Sequence, residues 1–220
     1  MGKIRMGILD GFIGKVGTVI GSFWKGKKLM RGYNEFPSNP KTPSQKLQRA
    51  KFALLGVMGG ALLKALHIGL RSYADKRVST EVGEFIRLNM GMVSGTVNHL
   101  EVDYEALILS QGGLTPVSLG EANFSTPKRV SVSIENGYID TKVNSANDKV
   151  YLVVYNTTLQ QAILSDGTTT RSDSEVKLDV PGNWQGDYVE VWAFVKAADN
   201  TPHDPKAFSE TLYAGTGTIA

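Results

Sequence analysis

The sequence predicts an α+β protein: an N-terminal β-hairpin, a long helix and a short second helix, followed by an immunoglobulin-like antiparallel β-sandwich. Three observations predict it. The chain opens on a glycine-rich stretch that turns β-branched and aromatic, from Gly11 to Tyr33. Apolar residues then recur with a helical period from Leu47 to Ile68. From about Tyr104 onward the pattern changes to short β-rich runs with turn residues between them. The expected division is a basic hairpin-helix assembly region over residues 1–100 and an acidic sandwich over residues 101–220.

Gly11-Phe-Ile-Gly14-Lys-Val-Gly17 places glycine at every third position, and Thr18 to Trp24 reads as a strand. Lys25-Gly26-Lys27 supplies a turn, since Gly26 takes a positive φ without steric cost, and Lys28 to Tyr33 returns as the partner strand. A lone hairpin is marginal in water, so this one is expected to pack on its own helix or on a neighbouring subunit.

Pro37, Pro40 and Pro43 form an extended elbow. Thr42 is placed to cap a helix, Pro43 suits its first position, and Gln45 completes a capping box. The helix that follows is apolar on one face through Leu47, Leu54, Val57 and Ala61, and on a second through Phe52, Leu55, Leu62 and Leu66. A helix apolar on nearly all sides must be covered on all sides. One hairpin and a short second helix, over about Thr80 to Met92, are not enough, so oligomerisation is the expected solution. Gly56, Gly59 and Gly60 each weaken the helix by about 1 kcal/mol relative to alanine, and are expected to mark close packing of another backbone or a break. The assembly-interface candidates are therefore Phe23, Trp24, Leu29, Phe52, Leu55, Gly56, Gly60 and Leu66.

Eight strands are expected in the second part: Ala106–Ser110, Arg129–Glu135, Tyr138–Val143, Lys149–Asn156, Gln161–Ser165, Glu175–Val180, Tyr188–Lys196 and Ser209–Ala214. Asn136-Gly137 is the strongest hairpin signal, and Asp166-Gly167 and Pro181-Gly182-Asn183 mark further turns. Trp184 and Trp192 are expected to be packing groups.

The formal net charge of +3 conceals a polarity. Residues 1–77 carry fifteen Lys/Arg against three Asp/Glu, and the remainder carries nine against eighteen. Such asymmetry points to a polyanion partner for the first part, or to contact between oppositely charged parts of neighbouring copies. The chain has no cysteine, which excludes disulfides, thiolate metal sites and cysteine nucleophiles. Gly21 to Lys27 matches the start of a phosphate-binding loop, but Lys28 stands where a hydroxyl is needed and Phe23 and Trp24 crowd the cradle. His67 is expected to be a satisfied core or interface residue, and His203 lies in a polar loop without regular ligand spacing. No residue pattern identifies catalytic groups, a metal site, a cofactor or a small-molecule substrate, so a non-enzymatic protein is expected. The apolar run Phe52–Leu63 is too short for membrane insertion, and no stretch of signal-peptide length follows the basic N-terminus. A cytoplasmic protein, or one in a particle released by lysis, is expected.

Lys25, Lys27, Lys28 and Arg31 beside Phe23, Trp24 and Tyr33 form the strongest constellation, in which cations neutralise phosphates while aromatic faces stack on bases. The same composition suits a hairpin that inserts Trp24 into a neighbouring copy. Gly11-Phe-x-Gly14-Lys15-Val16-Gly17, Gly21-x-x-Trp24-Lys25-Gly26, Arg31 and Thr42-Pro43-x-Gln45…Arg49-x-Lys51-Phe52 together resemble an uncharacterised domain family found widely in Bacteroidota. Val154-Tyr155-Asn156, Thr170-Arg171, Trp184-x-Gly186-Asp187 and Tyr213-x-Gly215 extend the resemblance over nearly the whole chain. A shorter part of the pattern is similar to small proteins of phages and prophages. The resemblance implies no activity and no functional residues. The leading expectation is a self-assembling homo-oligomeric structural protein of a filament, shell or phage-derived particle; the alternative is nucleic-acid binding through the basic aromatic hairpin.

Overall fold

Two apolar runs without alternation, Val150–Tyr155 and Val191–Val195, organise the C-terminal part of the chain. A strand with one face in water alternates apolar and polar residues, whereas a strand apolar at successive positions is covered on both faces. The computed structural model describes residues 3–4, 12–135, 145–198 and 207–220. In chain order its strands are β1 (Lys3–Ile4), β2 (Phe12–Val16), β3 (Val19–Trp24), β4 (Lys27–Gly32), β5 (Val93–Thr96), β6 (His99–Val102), β7 (Ser118–Asn123), β8 (Arg129–Glu135), β9 (Lys149–Asn156), β10 (Gln161–Leu164), β11 (Glu175–Asp179), β12 (Tyr188–Lys196) and β13 (Leu212–Thr218). The helices are α1 (Pro43–Ala61), α2 (Leu63–Gly69), α3 (Arg71–Lys76) and α4 (Glu81–Asn89). Gly11, the Asn136-Gly137 turn, the strand expected over Tyr138–Val143 and the loop around His203 lie outside the described residues.

The chain divides into two units, Met1–Gln45 and Lys46–Ala220. The boundary expected at residue 100 therefore falls inside the second unit. The physical reason is a shared core. The sheet β10-β9-β12-β13 faces the sheet β11-β8-β7, both antiparallel, and Val150, Leu152, Val154, Val191 and Ala193 meet Val130, Val132 and Val176 between them. The intervening residues of the same two strands, Tyr151, Val153, Tyr155, Trp192 and Phe194, point the other way into a second core. There they meet Leu55, Met58, Leu66, Leu70 and Phe85 of the helical segment. The fold is thus mixed α+β, and the four-stranded sheet is a wall between two cores. One side of the apolar helix, with Leu55 and Met58, finds its cover on this sheet in its own chain, while Phe52 and Val57 on its outward side stay exposed.

The long helix is also broken. Its axis turns by 85° between α1 and α2, at Leu62, which has φ −81° and ψ 4°. Among the described residues no single helix is long and apolar enough to cross a membrane. The glycines before the break differ in kind. A Cβ on Gly59 would stand 3.0 Å from Val82 and 3.1 Å from Phe85, so α4 packs closely there, while Gly56 and Gly60 face open space. Thr80 caps α4 by accepting a hydrogen bond from the Gly83 N–H at 3.1 Å.

Three strand expectations need correction. Ala106–Ser110 is not a strand; its Ile108 N–H donates to Asn89 Oδ1, and the Leu109 and Ser110 N–H groups donate to Thr211 Oγ1. Side chains remote in sequence satisfy this backbone, so it needs no ladder. β13 starts at Leu212 and runs on to Thr218 rather than covering Ser209–Ala214. β5, β6 and β7 form where no strand was expected. A buried ion pair pins one end of the sandwich: Arg171 Nε lies 3.4 Å from Asp148 Oδ2 and Arg171 Nη2 donates to the Thr115 carbonyl at 2.7 Å.

In the N-terminal unit the hairpin is part of a four-stranded antiparallel sheet in the order β1-β2-β3-β4. Lys25 and Gly26 both take positive φ, +43° and +79°, the two-residue turn whose twist matches that of the flanking strands. The Tyr33 N–H extends the pairing by donating to the Thr18 carbonyl at 2.7 Å. The Gln45 N–H donates to Thr42 Oγ1 at a long 3.4 Å, in the expected capping position.

Candidate interaction surfaces

Side chains alternate along a strand, and residues paired across strands share a face. The register of the N-terminal sheet pairs Gly21 with Met30, Phe23 with Lys28, Ile20 with Arg31, Ser22 with Leu29 and Trp24 with Lys27. On the other side of β3, Gly14 pairs with Gly21, Lys15 with Ile20 and Val16 with Val19. The aromatic and basic residues that stand side by side in the sequence are therefore sorted onto opposite faces.

One face carries Phe12, Val16, Val19, Phe23 and Met30 with a single cation, Lys28. Gly21 lies in the middle of this face, and a Cβ there would run into the Phe12 carbonyl oxygen and stand 2.9 Å from one edge of the Phe12 ring, so Phe12 packs directly on the glycine. Met30 is 71% exposed and Phe23 57%. The other face carries Lys15, Trp24, Lys27 and Arg31, with Ile13, Ile20 and Leu29 between them. The Lys15 ammonium stands 3.3 Å from the centroid of the Tyr33 ring, a cation–π contact that brings Tyr33 to this face. Residues 12–33 contain no Asp or Glu, so the described strands of this sheet contribute no negative side chain to either face.

The assembly candidates separate accordingly. Phe23, Trp24 and Leu29 are exposed on the N-terminal sheet, and Phe52 is exposed on α1 together with Val57. Gly56 and Gly60 lie on this same outward side of α1, in open space. Leu55 and Leu66 are fully buried in the helix-facing core, so neither is offered to another copy, because the four-stranded sheet already covers them. Among the nucleic-acid candidates, Lys27 and Arg31 share the face of Trp24, Lys28 points with Phe23, and Lys25 sits in the turn. Sequence reasoning did not single out Lys15, although its place opposite Ile20 puts it in one row with Arg31.

The C-terminal unit holds a buried polar cluster on the helix-facing side of its four-stranded sheet. Tyr213 donates to Glu190 Oε2 at 2.7 Å, and Glu190 pairs in register with Tyr155. Burial pushes the Glu190 carboxyl up and pushes the Tyr155 phenol up to about 12. Tyr213 is raised by burial and by its bond to Glu190. Trp184 and Trp192 are buried as expected, and Trp192 Nε1 donates to the Tyr104 carbonyl at 2.9 Å. His67 is not buried: its Nδ1 lies 3.1 Å from Glu81 Oε1 and its Nε2 lies 2.9 Å from Arg71 Nη1, so it bridges two charged side chains at the surface. Among the described residues no group of three or more His, Asp or Glu is placed to hold a metal ion.

Among solved structures, the fibronectin type III (fn3) domain of the human collagen alpha-1(XX) chain is similar at a TM-score of 0.31 and 16% identity, over 50% of this chain and 90% of that one. The curated proteins contain no match to the chain. A family model described as a family of unknown function, DUF6266, matches residues 11–204.

Proposed function

The chain belongs to DUF6266, a family of unknown function, and we propose that it is a non-enzymatic structural protein that self-assembles through its N-terminal sheet and the outward side of α1. The observation that supports this reading is a sheet without a core. Among the described residues from Phe12 to Gln45, Gly21 is the only one buried, while Val16, Phe23, Trp24, Leu29 and Met30 stand about half exposed or more. Isolated sheets of this kind are stable only when a face is packed. β4 is an edge strand, and Lys27, Lys28 and Arg31 along it oppose edge-to-edge pairing of like copies. Cover is then expected across a face, and the face of Phe23 and Met30, with one cation, suits it.

A second copy is the occupant that the charge pattern favours. Residues 1–45 carry eight Lys/Arg against two Asp/Glu, whereas residues 46–220 carry sixteen against nineteen. A contact between the basic unit of one copy and the acidic part of the next joins two different surfaces, and so can propagate into a ring, filament or shell. Exposed Phe52 and Val57, with Gly56 and Gly60 beside them, offer a further apolar strip. In this reading the sandwich is an immunoglobulin-like spacer, and the assembly belongs to the cytoplasm or to a phage-derived particle released by lysis, in a bacterium of the Bacteroidota. Light scattering on the full chain at high concentration and low salt is expected to show oligomers, and Phe23→Ser with Met30→Ser is expected to shift them towards monomer. A strictly monomeric parent chain under these conditions would refute the reading.

A further inference from the structure

We propose that the face of the N-terminal sheet opposite Phe23 and Met30 binds single-stranded nucleic acid. The register brings three cations and two aromatic rings together there. Lys27 and Arg31 lie four residues apart on β4, a separation of roughly 13 Å at the rise of an extended strand. Lys15 and Arg31 flank Ile20 from the two neighbouring strands, so they lie roughly 10 Å apart across the sheet. Trp24 stands at the tip of the hairpin, half exposed, whereas the other two tryptophans are at most 1% exposed. A track of cations without a carboxylate attracts phosphates, and a flat ring held in solvent stacks on an unpaired base whatever its identity. Duplex DNA keeps its bases stacked inside and has little use for an exposed indole, so the single strand fits better. An acidic protein surface would be met by the cations alone and would not call for Trp24. The inference is separate from assembly across the face of Phe23 and Met30, because the residues that carry it point away from that face.

The neighbouring positions of opposite face supply the test. Anisotropy of a fluorescent oligothymidylate, titrated with the full chain from about 50 to about 200 mM salt, is expected to show affinity that falls with salt. Lys27→Gln is expected to weaken binding about threefold at the low end, and the combination of Lys15→Gln, Lys27→Gln and Arg31→Gln to flatten the logarithmic salt slope by about 2. Lys28→Gln removes the same charge from the other face and is expected to leave affinity unchanged. Trp24→Ala is expected to cost about tenfold, Trp24→Phe to restore most of it by keeping a stacking ring, and Phe23→Ala to have no effect. Light scattering on the same samples reads assembly separately. Absence of binding at low salt overturns the proposal, and so does equal loss with Lys27→Gln and Lys28→Gln. Full affinity in Trp24→Ala overturns the stacking platform. Displacement of the oligonucleotide by polyglutamate at equal charge concentration, with the same variant pattern, assigns the face to acidic protein and overturns it as well.

Discussion

Leu66→Ala tests whether the helices and the sandwich fold on one shared wall. Leu66 is fully buried, against a core layer that includes Val153 and Trp192 of the four-stranded sheet. The substitution removes three apolar carbons, about 2.4 kcal/mol at roughly 0.8 kcal/mol each. The cavity left behind raises the total to about 3–5 kcal/mol, since a helix held on a sheet relaxes only in part. In a unit of this size that lowers Tm by roughly 10 °C. Urea unfolding followed by far-ultraviolet circular dichroism reads the helices, and tryptophan emission in a Trp24→Phe background reads only the buried Trp184 and Trp192. Trp184 lies in the core between the sheets and Trp192 in the helix-facing core, so both probes are expected to shift together. The shift is also expected to be independent of protein concentration, because the cover is supplied by the same chain. A helical signal that moves while the tryptophan signal stays, or a loss that disappears on concentrating the protein, would refute the shared core.

Arg171→Ala leaves Asp148 buried without its cation and the Thr115 carbonyl without its donor, and is expected to destabilise by about 3–5 kcal/mol in urea melts; a loss below about 1 kcal/mol would place the pair among surface bridges. Alkaline stability follows from Tyr155, whose folded pKa of about 12 lies above that of a free tyrosine. Its contribution is complete below about pH 10 and is lost as pH rises towards 12, roughly 3 kcal/mol in all. Thermal melts across that range are expected to fall in Tyr155→Phe by less than in the parent chain, and parallel curves would exclude the assignment.

Much of the sandwich was legible because its strands announce themselves locally. β8, β9 and β12 match the expected bounds end to end, since each is a β-branched or aromatic run closed by polar residues. β7 was not legible: Ser118-Leu-Gly-Glu-Ala-Asn123 has little strand propensity, and it forms because β8 offers a ladder, with an irregularity between Leu119 and Ala122. Ala106–Ser110 misled in the opposite sense, because an apolar segment whose donors are taken by Asn89 and Thr211 reads like a strand. The all-round apolar helix announced that it needed a partner without saying whose. The answer lay in Val150–Tyr155 and Val191–Val195, whose missing alternation marks a sheet covered twice. For the candidate surface, composition singled out Trp24, Lys27 and Arg31, all of which are exposed. Their separation from Phe23 and Lys28 is a property of register, and so is the recruitment of Lys15; both depend on which residues pair across the strands.

The doubly covered sheet also sets which changes of length the chain can tolerate. Along β9 the layer between the sheets is aliphatic, Val150, Leu152 and Val154, while the layer beneath the helices holds two rings, Tyr151 and Tyr155. Inserting or deleting one residue within β9 would exchange these sets, driving phenol rings into space shaped for valine and leaving voids under the helices. In a strand with one wet face such a slip sends the apolar set into water and the polar set into the core. Here neither face has room for the other's side chains. Natural length variation in the C-terminal unit is therefore expected at the Thr157–Gln160 turn and in the connections between strands, while the lengths of β9 and β12 stay fixed.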